Sequence, residues 1–211
     1  MMNNSIRPLT VLCDIDNTIL NTEQLIVDEY NRRYNKSITL DDVTCWDYFS
    51  DKVDNDFFEI LTKPGTWYSV QPIESICNLV QTMVAQPDCF TVYLVTATNP
   101  LKSRLREKLT VASKATGVDA HHIIVCNDKH LLMGDIMIDD YVKNIDNTLC
   151  KDCWLVDRPW NKQLPTSECY STTADQLLNN LKNRDFASVF VEAILTETEI
   201  GLSKEIWRLI P

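Results

Sequence analysis

Five short apolar runs recur along the chain, and four of them end in oxygen-bearing or cationic side chains. The runs are Leu9–Cys13, Phe90–Val95, His122–Cys126, Asp135–Asp139 and Cys153–Val156. Each is too short for a helix and too uniformly apolar for a strand with one wet face, so each reads as a strand buried on both sides. Helical patterns separate them. One runs from Asn21 or Thr22, either of which can cap it, to about Tyr34; a second follows Pro72 through Ile73, Ile76, Cys77, Val80 and Met83. Further helices are expected from Pro100 to about Ala115 and from Thr173 to about Arg184. Strands joined through helices require crossovers, and crossovers give a parallel sheet with helices on both faces. The expected fold is therefore α/β, a Rossmann-like core of parallel strands.

One stretch breaks the rhythm. From Ser37 to Ser69 the chain is irregular, aromatic and acidic, with a turn at Pro64-Gly65. It lies between the first strand and the rest, which is where an insertion would sit. Residues 21–72 are expected to form a small helical cap, and residues 1–20 and 73–211 the core. The apolar stretch Phe186–Leu195 is expected to be helical and to cover the core or form a dimer contact.

Parallel sheets bind ligands at the carboxyl ends of their strands. Asp14-Ile-Asp16-Asn-Thr18 follows the first run, Thr96-Ala97-Thr98-Asn99 the second, Asn127-Asp128-Lys129 the third and Asp139-Asp140 the fourth. Acids, hydroxyls and a lysine from four strands would thus converge on one edge. Asp14, Asp16 and Asp140 form an oxygen-rich set suited to a hard octahedral cation, best Mg²⁺. Such an ion would offset the repulsion between carboxylates and a phosphate. Lys129 adds a point charge. Thr96 and the amides after it, beginning at Ala97, could hold phosphate oxygens at a helix N-terminus. One aspartate can attack phosphorus, and another two residues on can protonate the leaving alkoxide.

Composition narrows the choice. The chain has 211 residues and a net charge of −10, which gives it no general affinity for nucleic acid or an anionic membrane. Its four glycines are too scattered for a G-x-G-x-x-G or Walker A loop, so a phosphate site here would have to be built otherwise. No apolar run is long enough to span a bilayer, and the first residues lack the pattern of a signal peptide. Eight cysteines without that pattern suggest a reducing, cytoplasmic setting rather than a disulfide scaffold. Cys150 and Cys153 have ligand-like spacing but lack a second pair for zinc.

Asp14-x-Asp16-x-Thr18, Thr96, Lys129 and Asp139-Asp140, in this order, resemble the four motifs of the haloacid dehalogenase superfamily of phosphohydrolases. The resemblance implies Asp14 as nucleophile, Asp16 as general acid and base, Thr18 as support for the loop, and Thr96 and Lys129 as phosphate binders. It implies the Asp14 carboxylate, the Asp16 backbone carbonyl and Asp140 as Mg²⁺ ligands, with Asp139 one step back from the ion. A narrower resemblance runs through Lys63–Ile73, Asn127–Lys129, Asp135–Asp140 and Leu155–Asn161, which are similar to the 5′(3′)-deoxyribonucleotidase family. It implies hydrolysis of nucleoside monophosphates through an aspartyl-phosphate, beneath a cap whose aromatics stack on the base. Phe49, Trp67, Trp46 and Tyr68 are the candidates for that contact, since stacking holds a base whatever its edge. The chain departs from the family at Asn17, where glycine is common. Arg158 and Asn161 could touch the site or cap the next helix. The expected partner is a small nucleotide, with no nucleic acid or membrane, and a homodimer is possible. Alternatives are a phosphatase for a sugar phosphate or a polynucleotide end, and a non-catalytic module that keeps the fold.

Overall fold

The computed structural model describes residues 7–98, 104–162, 169–174 and 205–210, of which 169–173 and 205–210 are described as backbone only. Strand β1 is Leu9–Asp14, β2 Phe90–Thr96, β3 Ile123–Val125, β4 Ile136–Asp139, β5 Asp152–Val156, β6 Cys169–Thr173 and β7 Glu205–Ile210. They form one parallel sheet in the order β3-β2-β1-β4-β5-β7-β6. The α/β parallel architecture expected from the sequence is the one observed.

Alternation along the central strands explains why both faces must be covered. Val11 and Cys13 of β1, with Ile136 and Ile138 of β4, enter one apolar cluster; Leu12 and Met137 enter the other. Helix α2 (Glu74–Val84) supplies the first cluster through Ile76, Cys77, Leu79, Val80 and Met83, a helical stripe of spacing three and four. Helix α3 (Leu105–Thr116) adds Ala112 to it. Helix α4 (Val142–Asn147) seals the second with Ile145. The strands approach closely beside Gly134, where an added Cβ would lie 3.1 Å from both the Thr10 carbonyl and Leu12 Cγ. Asp135 anchors the amino end of the sheet. It receives two bonds from Arg7, at 2.6 and 2.7 Å, and the Thr10 amide at 2.8 Å. Burial works to raise its pKa, but Arg7 and the Thr10 amide prevail and hold it below the usual carboxylate value.

Residues 21–72 contain helix α1 (Thr22–Tyr34) and 3₁₀ turns at Leu40–Asp42, Phe57–Thr62 and Thr66–Ser69. Ile26, Val27, Tyr30, Val43, Phe49 and Phe57 make an apolar cluster of their own. Trp67 and Val70 belong instead to the main core.

Three elements differ from the sequence pattern. Cys169–Thr173 is a strand that the pattern did not suggest, and the helix expected from Thr173 is first seen one residue later, at Ala174. Strand β7 lies between β5 and β6, so its place is set by distant partners rather than local periodicity. Described helix α3 opens at Leu105 rather than Pro100. The apolar stretch 186–195 and most of the expected helix 173–184 lie outside the described residues.

Candidate active site

The register brings the strand ends level: Asp14 of β1 pairs with Val95, Thr96 of β2 with Val125, and Asp139 of β4 with Leu155. The side chains that follow therefore meet at one edge. Asp14, Asp139 and Asp140 are buried, and one carboxylate oxygen from each lies within 4.8 Å of the others. Lys129, also buried, reaches in from a 3₁₀ turn at Lys129–Leu131 and bonds Asp14 Oδ1 at 2.5 Å and Asp139 Oδ2 at 2.8 Å.

Three buried acids around one ammonium leave an excess of negative charge. Burial pushes the Asp14 carboxyl up to about 7, against the pull of Lys129, and Asp139 and Asp16 add to the rise. Burial likewise raises Asp140 well above its ordinary value, with Asp139 and Asp14 reinforcing it. For Lys129, burial works against the charge, yet Asp14 and Asp139 outweigh it and hold the pKa above the ordinary lysine value.

The acids differ in how they are engaged. Both Asp139 oxygens are used: they accept from Lys129, from the Tyr141 amide at 2.8 Å and from Asn144 Nδ2 at 3.0 and 3.1 Å. Asp140 accepts from Trp160 Nε1 at 2.9 Å through Oδ2 alone, and its buried Oδ1 has no partner among the described residues. A buried carboxylate with one unsatisfied oxygen, beside two further acids, is a donor set that fits a hard divalent cation.

The Asp14–Leu20 segment turns sharply. The Ile15 carbonyl accepts the Ile19 and Leu20 amides, and the Asn17 amide bonds the Leu20 carbonyl. Asn17 takes a left-handed conformation, with φ of 58°. Glycine adopts this readily, and asparagine is among the few other residues that tolerate it. Its Oδ1 also accepts the Glu23 amide at 2.7 Å, so Asn17 caps α1 from outside the helix. The expected caps do not act: Asn21 makes no capping bond, and the Thr22 hydroxyl bonds Asp16 Oδ1 at 2.9 Å. Thr18 is fully buried in this turn.

Asp16 is held from three sides. Besides Thr22, the Thr96 hydroxyl approaches Oδ2 at 3.2 Å, and Lys108 forms an ion pair with the same oxygen. Lys108 comes from α3, lies buried, and sits 5.0 Å from the Trp67 ring centroid, within cation–π range. Sequence reasoning missed it because it follows no strand. The signal was present, however: Lys108, Ala112 and Thr116 share the buried stripe of α3, where a lysine needs a partner.

A cavity of about 520 Å³ opens above these groups. Asp16, Asn17, Ala97 and Lys108 line it, and Trp46, Phe58, Trp67 and Trp160 supply aromatic lining. Of the expected base contacts, Trp46 and Trp67 line this cavity. Phe49 is buried in the apolar cluster of segment 21–72, and Tyr68 is exposed; neither is among the described lining residues. Trp46 stacks on Tyr141 with ring centroids 3.9 Å apart. Glu23 and Glu59 also line the cavity. Burial pushes Glu23 up to about 7, partly opposed by a bond with Asn17. The Thr98 amide, expected to face a phosphate, bonds Asn127 Oδ1 at 2.9 Å. Arg158 Nε donates to the Asn17 carbonyl at 2.7 Å, and Asn161 Nδ2 to the Asp140 carbonyl at 2.8 Å, so both brace the site.

Comparison with known proteins gives this geometry a family. Residues 7–183 match the model of the family described as 5′ nucleotidase, deoxy (Pyrimidine), cytosolic type C protein. The chain belongs to that family. A 5′(3′)-deoxyribonucleotidase of Clostridium acetobutylicum is 27% identical over 143 residues, covering 65% of this chain and 76% of that protein. A Thermotoga maritima protein assigned as a beta-phosphoglucomutase overlays with a TM-score of 0.51 at 13% identity, covering 83% of this chain and 99% of that one. This last likeness is one of fold. A haloacid dehalogenase-like hydrolase from Streptococcus pneumoniae gives a TM-score of 0.49 at 11% identity over 74% of this chain and 88% of that one. The chain is thus a phosphoric monoester hydrolase of the 5′-nucleotidase type. No helix among the described residues is long and apolar enough to cross a membrane.

Proposed function

We propose that the chain is a Mg²⁺-dependent 5′(3′)-deoxyribonucleotidase acting on pyrimidine nucleoside monophosphates, with Asp14 as nucleophile. The observation that carries the reading is the buried Asp14–Lys129–Asp139 network, with Asp140 beside it, at the strand ends near an aromatic-lined cavity.

Asp14, Asp140 and the Asp16 carbonyl would hold the ion, while Asp139, its oxygens already engaged, would fix Lys129. When bound, Mg²⁺ neutralises phosphoryl oxygens and favours the ionised form of the surrounding acids. An Asp14 carboxylate oxygen attacks phosphorus in line, the P–O bond to the nucleoside breaks, and Asp16 gives its proton to the leaving alkoxide. Asp16, now ionised and paired with Lys108, takes a proton from water. The resulting hydroxide attacks the phosphorus of phospho-Asp14, releasing inorganic phosphate and leaving Asp14 as its carboxylate and Asp16 again protonated. Lys129, Thr96 and the Ala97 backbone hold the phosphoryl group, which in this chemistry is mainly a matter of placement and charge. Thr18 supports the turn. Residues 21–72 act as a cap over residues 1–20 and 73–211, excluding water and offering Trp46 and Trp67 to the base.

Phosphate release from dUMP, dTMP, UMP, 3′-nucleotides and sugar phosphates, with Mg²⁺ and with EDTA, tests this reading. The expected result is preference for pyrimidine deoxyribonucleotides and silence in chelator. A higher kcat/KM on a sugar phosphate, or full activity in EDTA, would overturn it.

A further inference from the structure

Trp160 touches both the acid cluster and the cavity. It sits in the 3₁₀ turn Pro159–Asn161 that follows β5. The turn is fixed from several sides: Asn161 Nδ2 bonds the Asp140 and Val156 carbonyls at 2.8 Å each, and the Arg158 amide bonds Asn161 Oδ1 at 3.0 Å. Arg158 ties the same turn to the Asn17 carbonyl. The indole therefore has little freedom. Its N–H donates to Asp140 Oδ2 at 2.9 Å, which leaves Oδ1 as the unengaged oxygen. Its ring lines the cavity beside Trp46, with centroids 6.3 Å apart and planes at 74°, and packs against the cluster of residues 21–72.

We propose that Trp160 is a positioning residue for the divalent cation: its indole N–H sets the rotation of the Asp140 carboxylate so that Oδ1 faces the ion, while its ring forms a wall of the nucleotide pocket. This inference rests on Asp140 being a cation ligand. Asp140 is buried, so without the indole bond its carboxylate would both lose a donor and gain rotational freedom. Partners that orient metal ligands in this way are commonly worth ten- to a hundredfold in affinity. The two functions of Trp160 are separable, because the N–H serves the cation and the ring serves the pocket.

The test is calorimetric titration of Mg²⁺ alone into the full chain and into Trp160→Phe, Trp160→Tyr and Asp140→Asn, with circular dichroism and urea unfolding in EDTA to show that each is folded. Trp160→Phe keeps a ring and removes the donor, and is expected to weaken Mg²⁺ binding about ten- to a hundredfold. Trp160→Tyr returns a donor through its hydroxyl and is expected to recover much of the affinity. Wild-type Mg²⁺ affinity in Trp160→Phe, or equal weakening in the Phe and Tyr variants, would overturn the inference, the second result assigning the effect to packing. Asp140→Asn separates the two claims. If it binds Mg²⁺ as the parent does, the assignment of Asp140 as a ligand fails. If it loses the ion while Trp160→Phe does not, only the role of Trp160 fails.

Discussion

Replacing Glu23 by glutamine isolates the cost of one charge in the nucleotide pocket. Glu23 stands in the first turn of α1 and lines the cavity, and burial raises its carboxyl from the ordinary 4.5 to about 7. At about 1.4 kcal/mol for each tenfold change in an ionisation constant, that rise corresponds to about 3 kcal/mol. The side chain is only partly shielded and the cavity is open to solvent, so screening reduces the expected effect to about 1–2 kcal/mol. The sign follows from linkage. A carboxyl whose pKa is raised in the folded state is favourable there while it is protonated. That contribution is complete below 4.5 and is lost as pH rises through about 7. Glutamine stays neutral throughout. Urea unfolding in EDTA should therefore find Glu23→Gln close to the parent at about pH 4 and more stable by about 1–2 kcal/mol at about pH 8. A stability difference that does not change with pH would refute the reasoning, and so would a variant that loses ground as pH rises.

Two further outcomes follow from neighbouring residues. Asn17→Ala, read by thermal or urea unfolding, should cost about 2 kcal/mol, because alanine strains the left-handed backbone and removes the bond to the Glu23 amide; Asn17→Gly, which relieves the strain, should cost less. If alanine and glycine cost the same, backbone strain plays no part. Lys108→Met should lower kcat about tenfold or more, a share of what a positioned acid–base group supplies, while calorimetry finds Mg²⁺ affinity little changed. Unchanged kcat would reduce Lys108 to a filler beside Trp67.

The sheet edge was legible in the sequence because strand ends carry their chemistry with them. Asp14, Thr96, Lys129 and Asp139-Asp140 each follow an apolar run, and parallel register does the rest. Lys108 and Trp160 were less legible, since one arrives from a helix face and the other from a loop, and only folding brings them to Asp16 and Asp140. The aromatics of residues 21–72 show the same limit. Phe49 and Trp67 look alike as candidates, yet a small apolar cluster claims the first and the cavity wall the second. Asn17 reads as a departure at a glycine position until its backbone angle and its capping bond are seen together. Strand β7 could not be placed by pattern, because its neighbours β5 and β6 are chosen by tertiary pairing.

The central claim is that Asp14 becomes phosphorylated. Rapid acid quench of the chain turning over dUMP with Mg²⁺, followed by proteolysis and mass spectrometry, measures this directly. The account predicts one phosphoryl group on the peptide containing Asp14, present during turnover and absent from Asp14→Asn, which folds but does not turn over. Phosphate release at the parent rate by Asp14→Asn, or a phosphoryl group on any other residue, would contradict it.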